Sequence, residues 1–136
     1  MIKSKKPLKL IATPKRSVSS EASEQSVFFA WLAVYRPFVR ALTFAVPNGG
    51  KRNIFEAKAL KLQGVTPGVP DVFMAIPSES FSGLFIEFKF GKNRASGLQN
   101  AFIARVREAG YRADICYSFE EAKAVVLEHL KDTEYE

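Results

Sequence analysis

Apolar and polar positions alternate between residues 84 and 90, with the two-residue period that is typical of a β-strand. Every second residue of this stretch is apolar: Leu84, Ile86, Phe88 and Phe90. Residues two apart in a strand point to the same face, so Glu87 and Lys89 are expected to project side by side. A second apolar stretch begins at Val72, directly after Asp71, and predicts a strand that starts close to this acid.

Caps, prolines and glycines predict the remaining elements. Ser23, Asn53 and Ser118 are suited to begin helices, and Gly110 is suited to end one. In chain order, the predicted elements are helix 24–35, strand 41–46, helix 54–62, strands 72–76 and 84–90, helix 97–109, strand 112–117 and helix 118–130. This order predicts an α/β fold in which a mixed central β-sheet is flanked by helices.

The two acids that these strands carry are the most informative chemical feature. Asp71 and Glu87 are sixteen positions apart, on successive predicted strands, with Lys89 next to Glu87 on one face. Two carboxylates can hold a hard divalent cation, and a lysine beside them can offset phosphate charge. A solvent-facing charge pair and a turn aspartate after proline are the plainer interpretations. The apolar surroundings favour the chemical one, because ionised groups are costly to bury.

Three short motifs together resemble a known nuclease family. They are Gly68-Val69-Pro70-Asp71, then Glu87-Phe88-Lys89, then Ser96-Gly97-Leu98-Gln99. In this order they are similar to the PD-(D/E)XK nuclease superfamily, and more narrowly to its VRR-NUC branch, the virus-type replication and repair nuclease domain. The resemblance extends from about Glu24 to Leu130 and implies a restriction-endonuclease-like core.

The resemblance also implies a reaction, the hydrolysis of DNA phosphodiester bonds with Mg²⁺ or Mn²⁺. The implied metal ligands are Asp71, Glu87 and the backbone carbonyl of Phe88, with Glu24 acting directly or through water. Lys89 is implied to position the attacking water, and Gln99 to orient that lysine or that water. The plainer interpretations are that Glu24 is a partner of the helix dipole and that Gln99 is part of an ordinary polar helix face.

The formal net charge of +6 is unevenly distributed and suggests where DNA would bind. Residues 1–20 form a basic, Ser- and Pro-containing tail that is expected to be disordered, ahead of a nuclease domain over 21–136. The basic side chains of the tail either bind DNA phosphates or only keep the protein soluble. They are Lys3, Lys5, Lys6, Lys9, Lys15 and Arg16. Further DNA contacts are expected in two loops, although both loops could also be plain turns. Their residues are Asn48, Gly49, Gly50, Lys51, Arg52, Lys92 and Arg94.

Cysteine and histidine usage excludes several classes of protein. Cys116 is the only cysteine, so no intrachain disulfide can form, and a buried structural thiol is expected. His129 is the only histidine, which leaves no material for a His-based zinc site or a Ser-His-Asp triad. The first residues lack the apolar core of a signal peptide. The single cysteine and the lack of a signal peptide predict a cytoplasmic protein, and the family resemblance further implies a bacterial or phage-infected cell and association with the nucleoid.

The apolar run Val27–Tyr35 predicts self-association. It contains nine apolar residues, far fewer than the roughly twenty that cross a membrane. One side of such a helix can pack on the sheet, and either the last helix or a second copy must cover the other. We expect a homodimer, which would bring two sites to the branched or junction DNA that the family resemblance implies as substrate. The alternatives are a catalytically silent nucleic-acid-binding subunit and an assembly scaffold on the same fold.

Overall fold

The computed structural model describes residues 20–47 and 53–136, and these contain five helices and four strands. The helices are α1 (Glu21–Tyr35), α2 (Pro37–Ala41), α3 (Ile54–Leu62), α4 (Gly97–Glu108) and α5 (Phe119–Leu130). The strands are β1 (Thr43–Ala45), β2 (Val72–Met74), β3 (Leu84–Phe88) and β4 (Arg112–Cys116).

The four strands form one mixed sheet in the order β1-β2-β3-β4. The pairs β1–β2 and β2–β3 are antiparallel, whereas β3 and β4 are parallel. Parallel neighbours need a crossover connection, and α4 supplies it. The predicted fold class is therefore confirmed.

The two faces of the sheet are covered by different helices, and the alternation along β3 decides which residue meets which helix. Phe88 lies on the face that packs against α1, where its ring centroid is 5.7 Å from that of Phe28. Phe85 lies on the opposite face and meets Phe102 of α4 at 5.7 Å. Glu87 has the same parity as Phe85, so it is on the α4 side. The main core is on the α1 and α5 side and includes Phe28, Leu32, Met74, Ile86, Phe88, Val126 and Leu130.

Two element predictions need correction. Helix α1 begins after Ser20 rather than Ser23, because the Ser20 hydroxyl accepts from the Ser23 N–H while the Ser23 hydroxyl accepts from the Ser20 N–H. This reciprocal capping box satisfies two free backbone donors at once. The short helix α2 was not predicted, since Pro37 was interpreted only as the end of α1. Proline is equally suited to the first position of a new helix, and it occupies that position in α2.

The apolar run of α1 is covered on one side within the chain. Phe28 and Leu32 are fully buried, and Phe29 and Trp31 pack against the same core. The Trp31 ring meets Phe119 of α5 at 5.9 Å, so the last helix covers part of the run, as one alternative proposed. The large apolar side chains of α1 and α2 that stay more than half exposed lie where the two helices meet. They are Val34, Tyr35 and Phe38. Within residues 20–47 and 53–136, no helix has the length and apolarity that a membrane span requires.

Candidate functional site

The strand register places the two predicted acids directly opposite each other. Val72 pairs with Ile86 in the antiparallel β2–β3 ladder, so the next pair outward is Asp71 with Glu87. The Asp71 carbonyl accepts from Val46 on the other side, 2.7 Å away, so Asp71 and Glu87 form a pair without mutual backbone hydrogen bonds. In such pairs the side chains approach most closely, with Cα atoms about 4.5 Å apart. The sixteen-residue separation in sequence thus becomes contact in space.

Backbone amides hold both carboxylates in place. The Phe88 N–H donates to Asp71 Oδ2 at 2.8 Å, and the Asp71 N–H donates to Glu87 Oε2 at 3.2 Å. Glu87 is only 2% exposed. Burial, together with the neighbouring charge of Asp71, raises the pKa of Glu87 to about 7. Burial also raises the pKa of Asp71, although its hydrogen bond from Phe88 opposes this. The pair is therefore a site of concentrated negative charge that a proton or a cation stabilises.

Lys89 and Gln99 both reach the same oxygen of Glu87. Lys89 Nζ lies 3.4 Å from Glu87 Oε1, and Gln99 Nε2 donates to that oxygen at 2.9 Å. The orientation of the Gln99 amide is set by its other end, where Oε1 accepts from the Ser96 N–H at 2.8 Å. Gln99 therefore joins the start of α4 to the acid on β3. The four side chains expected to be catalytic, Asp71, Glu87, Lys89 and Gln99, are brought together.

A close backbone approach holds α4 in the position that Gln99 needs. Gly68 has a φ of +89°, and a Cβ atom added there would lie 2.6 Å from the Leu98 carbonyl oxygen. Only glycine combines this φ with this proximity at low energetic cost. The segment before Asp71 can thus pack directly on the first turn of α4. The Gly68 and Ser96 motifs of the sequence serve one purpose, which is to fix the helix relative to the acids.

The donor set fits a hard divalent cation. The continued register pairs Phe88 with Pro70, which has no N–H to give to the Phe88 carbonyl. In a strand this carbonyl points the same way as the Phe88 N–H, which is bonded to Asp71. Two neighbouring carboxylates and a carbonyl without a strand partner are thus available here, and oxygen donors are what Mg²⁺ and Mn²⁺ prefer. Among the described residues, no group of three or more His, Cys, Asp or Glu side chains is arranged to hold a metal.

The structure gives the two acids of the first turn of α1 different partners. Glu24 Oε2 accepts from the Phe119 N–H at 2.7 Å, so its carboxylate caps the start of α5. Glu21 is the acid whose charge acts on Asp71 and raises its pKa further. Glu21 also accepts from Asn93 Nδ2 at 3.2 Å, which ties the loop after β3 to α1. The expected role of Glu24 near the metal stays a prediction, and Glu21 is a second candidate for it that the sequence interpretation missed.

The expected DNA contacts are only partly within the described chain. Lys92 and Arg94 are exposed on the loop that Asn93 ties to Glu21, beside the acidic pair. The expected contacts at 48–52 and in the tail 1–19 lie outside the described residues.

His129 and Cys116 are structural residues. His129 lies in the last turn of α5 and is 2% exposed, and its Nε2 pairs with the Ile76 carbonyl at 2.7 Å. Burial lowers the pKa of His129, which favours the neutral imidazole. Cys116 is 1% exposed, and burial raises the pKa of its thiol to about 12. The prediction of a buried thiol is confirmed.

Comparisons with known proteins agree with this arrangement. The family model of the VRR-NUC domain matches residues 16–120. No curated protein gives a significant match. A solved structure described as a VRR_NUC domain protein aligns with a TM-score of 0.75 and 22% identity, covering 88% of this chain and 95% of that one. At this identity the structural likeness shows the fold alone. Because the family match spans most of the chain, this protein belongs to the VRR-NUC family and is a nuclease-type domain.

Proposed function

We propose that this protein is a Mg²⁺- or Mn²⁺-dependent endonuclease that hydrolyses phosphodiester bonds in DNA. The observation that carries the proposal is that Asp71, Lys89 and Gln99 all contact one buried carboxylate, that of Glu87. A structural charge pair would not need two facing carboxylates whose pKa values are both raised. Such pairs are typical of sites where a cation replaces the missing positive charge.

The residues have distinct roles in this proposal. Asp71, Glu87 and the Phe88 carbonyl hold the cation, which when bound polarises a phosphodiester oxygen as a Lewis acid. Glu21 contributes negative charge from α1, directly or through water. Phe88 also fixes Asp71 through its N–H, at 2.8 Å. Each acid is therefore oriented before substrate binds, which lowers the reorganisation that hydrolysis requires.

Lys89 and Gln99 act on the water and on the charge of the reaction. The Lys89 side chain is 13% exposed, so it is open to the site while most of its length is packed. Its ammonium group positions the attacking water and stabilises the charge that develops on the phosphate. Gln99 holds Glu87 Oε1 at 2.9 Å and so keeps that acid, and the lysine beside it, in one geometry.

We further propose branched or junction DNA as the substrate and a homodimer as the working unit, in the cytoplasm. The exposed apolar residues Val34, Tyr35 and Phe38 at the junction of α1 and α2 support a second copy. Such a patch is costly to leave in water, and a twofold partner would cover it with the same patch. A dimer has two cleavage sites, which could cut the two DNA strands that meet at one branch. The basic tail and residues 48–52 are proposed to contact DNA phosphates.

A cleavage assay with and without metal tests the proposal. A labelled DNA junction and its linear duplex are incubated with the protein in Mg²⁺, in Mn²⁺ and in EDTA. Cleavage is expected only with metal, and Asp71→Asn, Glu87→Gln and Lys89→Ala should each lower it by at least about a hundredfold. Glu79→Gln is the matched control, because Glu79 is exposed on the loop before β3. Near-normal cleavage by Glu87→Gln, or equal cleavage in EDTA, would overturn the assignment.

A further inference from the structure

A groove separates α1 from the edge strand β1. Its volume is about 580 Å³, and it is lined by Ala22, Gln25, Ser26, Phe29, Arg40, Phe44 and Ala45. β1 is the first strand of the sheet, so one of its long sides has no strand partner. The groove is therefore bounded by a helix on one side and by strand backbone on the other.

Both walls of the groove lead to the acidic pair. On the helical wall, Ala22 follows Glu21, whose charge raises the pKa of Asp71. On the strand wall, Ala45 precedes Val46, whose N–H donates to the Asp71 carbonyl at 2.7 Å. Each wall of the groove is thus one residue away from a group that acts on Asp71.

Arg40 gives this groove a fixed positive charge. The centre of its guanidinium lies 4.7 Å from the centroid of the Phe29 ring, and its Nη1 donates to the Thr43 carbonyl at 3.0 Å. Two contacts therefore orient the side chain before any ligand binds. In residues 20–47 and 53–136, no carboxylate pairs with Arg40 as an ion pair. Several of its five N–H donors thus stay available in a planar fork.

We propose that Arg40 binds a backbone phosphate of the nucleic acid beside the scissile one, so that one substrate strand lies in the groove between α1 and β1. A guanidinium fork matches the two free oxygens of a phosphodiester. Gln25 adds a neutral donor on the helical wall of the same groove. The strand then passes from Arg40, along β1, to Asp71 and Glu87. This inference rests on the proposed nuclease function and assigns the groove as its strand-binding subsite.

The salt dependence of DNA binding tests this subsite without relying on catalysis. Binding of a fluorescent duplex to the Asp71→Asn protein is measured by anisotropy over a range of NaCl concentrations, with and without Arg40→Gln. Losing one phosphate contact should weaken binding about tenfold and lower the slope of log affinity against log salt by about 0.9. Arg40→Lys keeps the charge and should retain the slope while losing part of the affinity, because lysine lacks the fork.

The matched control is Arg105→Gln. Arg105 is an exposed arginine of α4, on the opposite face of the sheet from α1, and makes no ion pair with a described carboxylate. Its removal should change the slope by less than half as much. Circular dichroism melting of each variant checks that the fold is kept.

The outcomes separate this inference from the proposed function. An unchanged affinity and salt slope in a folded Arg40→Gln variant would overturn the subsite, even if the wild-type protein cuts DNA. An equal loss in Arg105→Gln would also overturn it, because the effect would then be one of net charge. If the protein binds no DNA at all, the proposed function itself fails.

Discussion

Glu87 makes the stability of the metal-free protein depend on pH in a direction opposite to that of most carboxylates. Its pKa of about 7 lies above the ordinary value of 4.5, because burial and Asp71 disfavour the charged form. Between these two values the folded protein holds a proton that the unfolded chain has lost. The free energy of unfolding therefore falls as pH rises through this window, by about 3 kcal/mol. Asp71, whose pKa is also raised, acts in the same direction.

Glu87→Gln isolates this contribution, because it removes the proton equilibrium and keeps a side chain of the same size. Urea unfolding of metal-free protein in EDTA gives the free energy of unfolding at pH 5 and pH 8. The wild-type protein should lose about 2 to 3 kcal/mol more over this range than the Gln variant does, slightly less than over the full window because pH 5 lies above the ordinary pKa of 4.5. Glu79→Gln, at an exposed position, should follow the wild type. If the wild type and Glu87→Gln show the same change with pH, burial and Asp71 do not raise the pKa of Glu87 in the way described.

Three further predictions test the supports of the site. Gly68→Ala should destabilise the fold by about 2 kcal/mol more than Gly64→Ala, because both glycines have positive φ but only an alanine at Gly68 meets the Leu98 carbonyl; equal losses in urea unfolding would argue against close packing there. Phe38→Glu, at a residue that is 80% exposed, should weaken self-association at least about thirtyfold in sedimentation, and an unshifted dimer would place the interface elsewhere. The Cys116 thiol, 1% exposed and with its pKa raised to about 12, should react with a thiol reagent at pH 8 only as fast as the protein unfolds, and prompt modification of folded protein would contradict its burial.

The acidic pair could be predicted from sequence because its information is local. The alternation of residues 84–90 assigned Glu87 and Lys89 to one face, and the register of two neighbouring strands did the rest. The turn glycine Gly110 and the cap Ser118 were likewise assigned correctly, since each acts on its own backbone.

The choice between Glu21 and Glu24 could not be made in the same way. Ser20 and Ser23 are both able to cap a helix, and which one does so depends on the reciprocal bonds between them. Both acids then occupy the first turn, three residues apart, and their sequence surroundings are alike. The difference between the two acids arises at the start of α5, where the Phe119 N–H donates to the Glu24 carboxylate. That contact spans ninety-five positions, and no local pattern encodes it.

The groove at Arg40 was missed for a related reason. Its walls come from α1, the unpredicted helix α2 and β1, and only their packing brings Phe29 beneath the guanidinium. The single signal in the sequence was an arginine after Pro37, which is also compatible with an ordinary helix end.

Calorimetric titration of Mn²⁺ tests the central claim, that Asp71 and Glu87 form one cation site, most directly. Titrations at pH 6 and pH 8, each in two buffers of different ionisation enthalpy, give both the affinity and the protons released. Because the pKa of Glu87 is about 7, binding should release about 0.9 proton at pH 6 and about 0.1 at pH 8. Both the affinity and the pH-dependent release should be lost in Glu87→Gln. Tight Mn²⁺ binding by that variant, or binding by the wild type with no proton release at pH 6, would contradict the account.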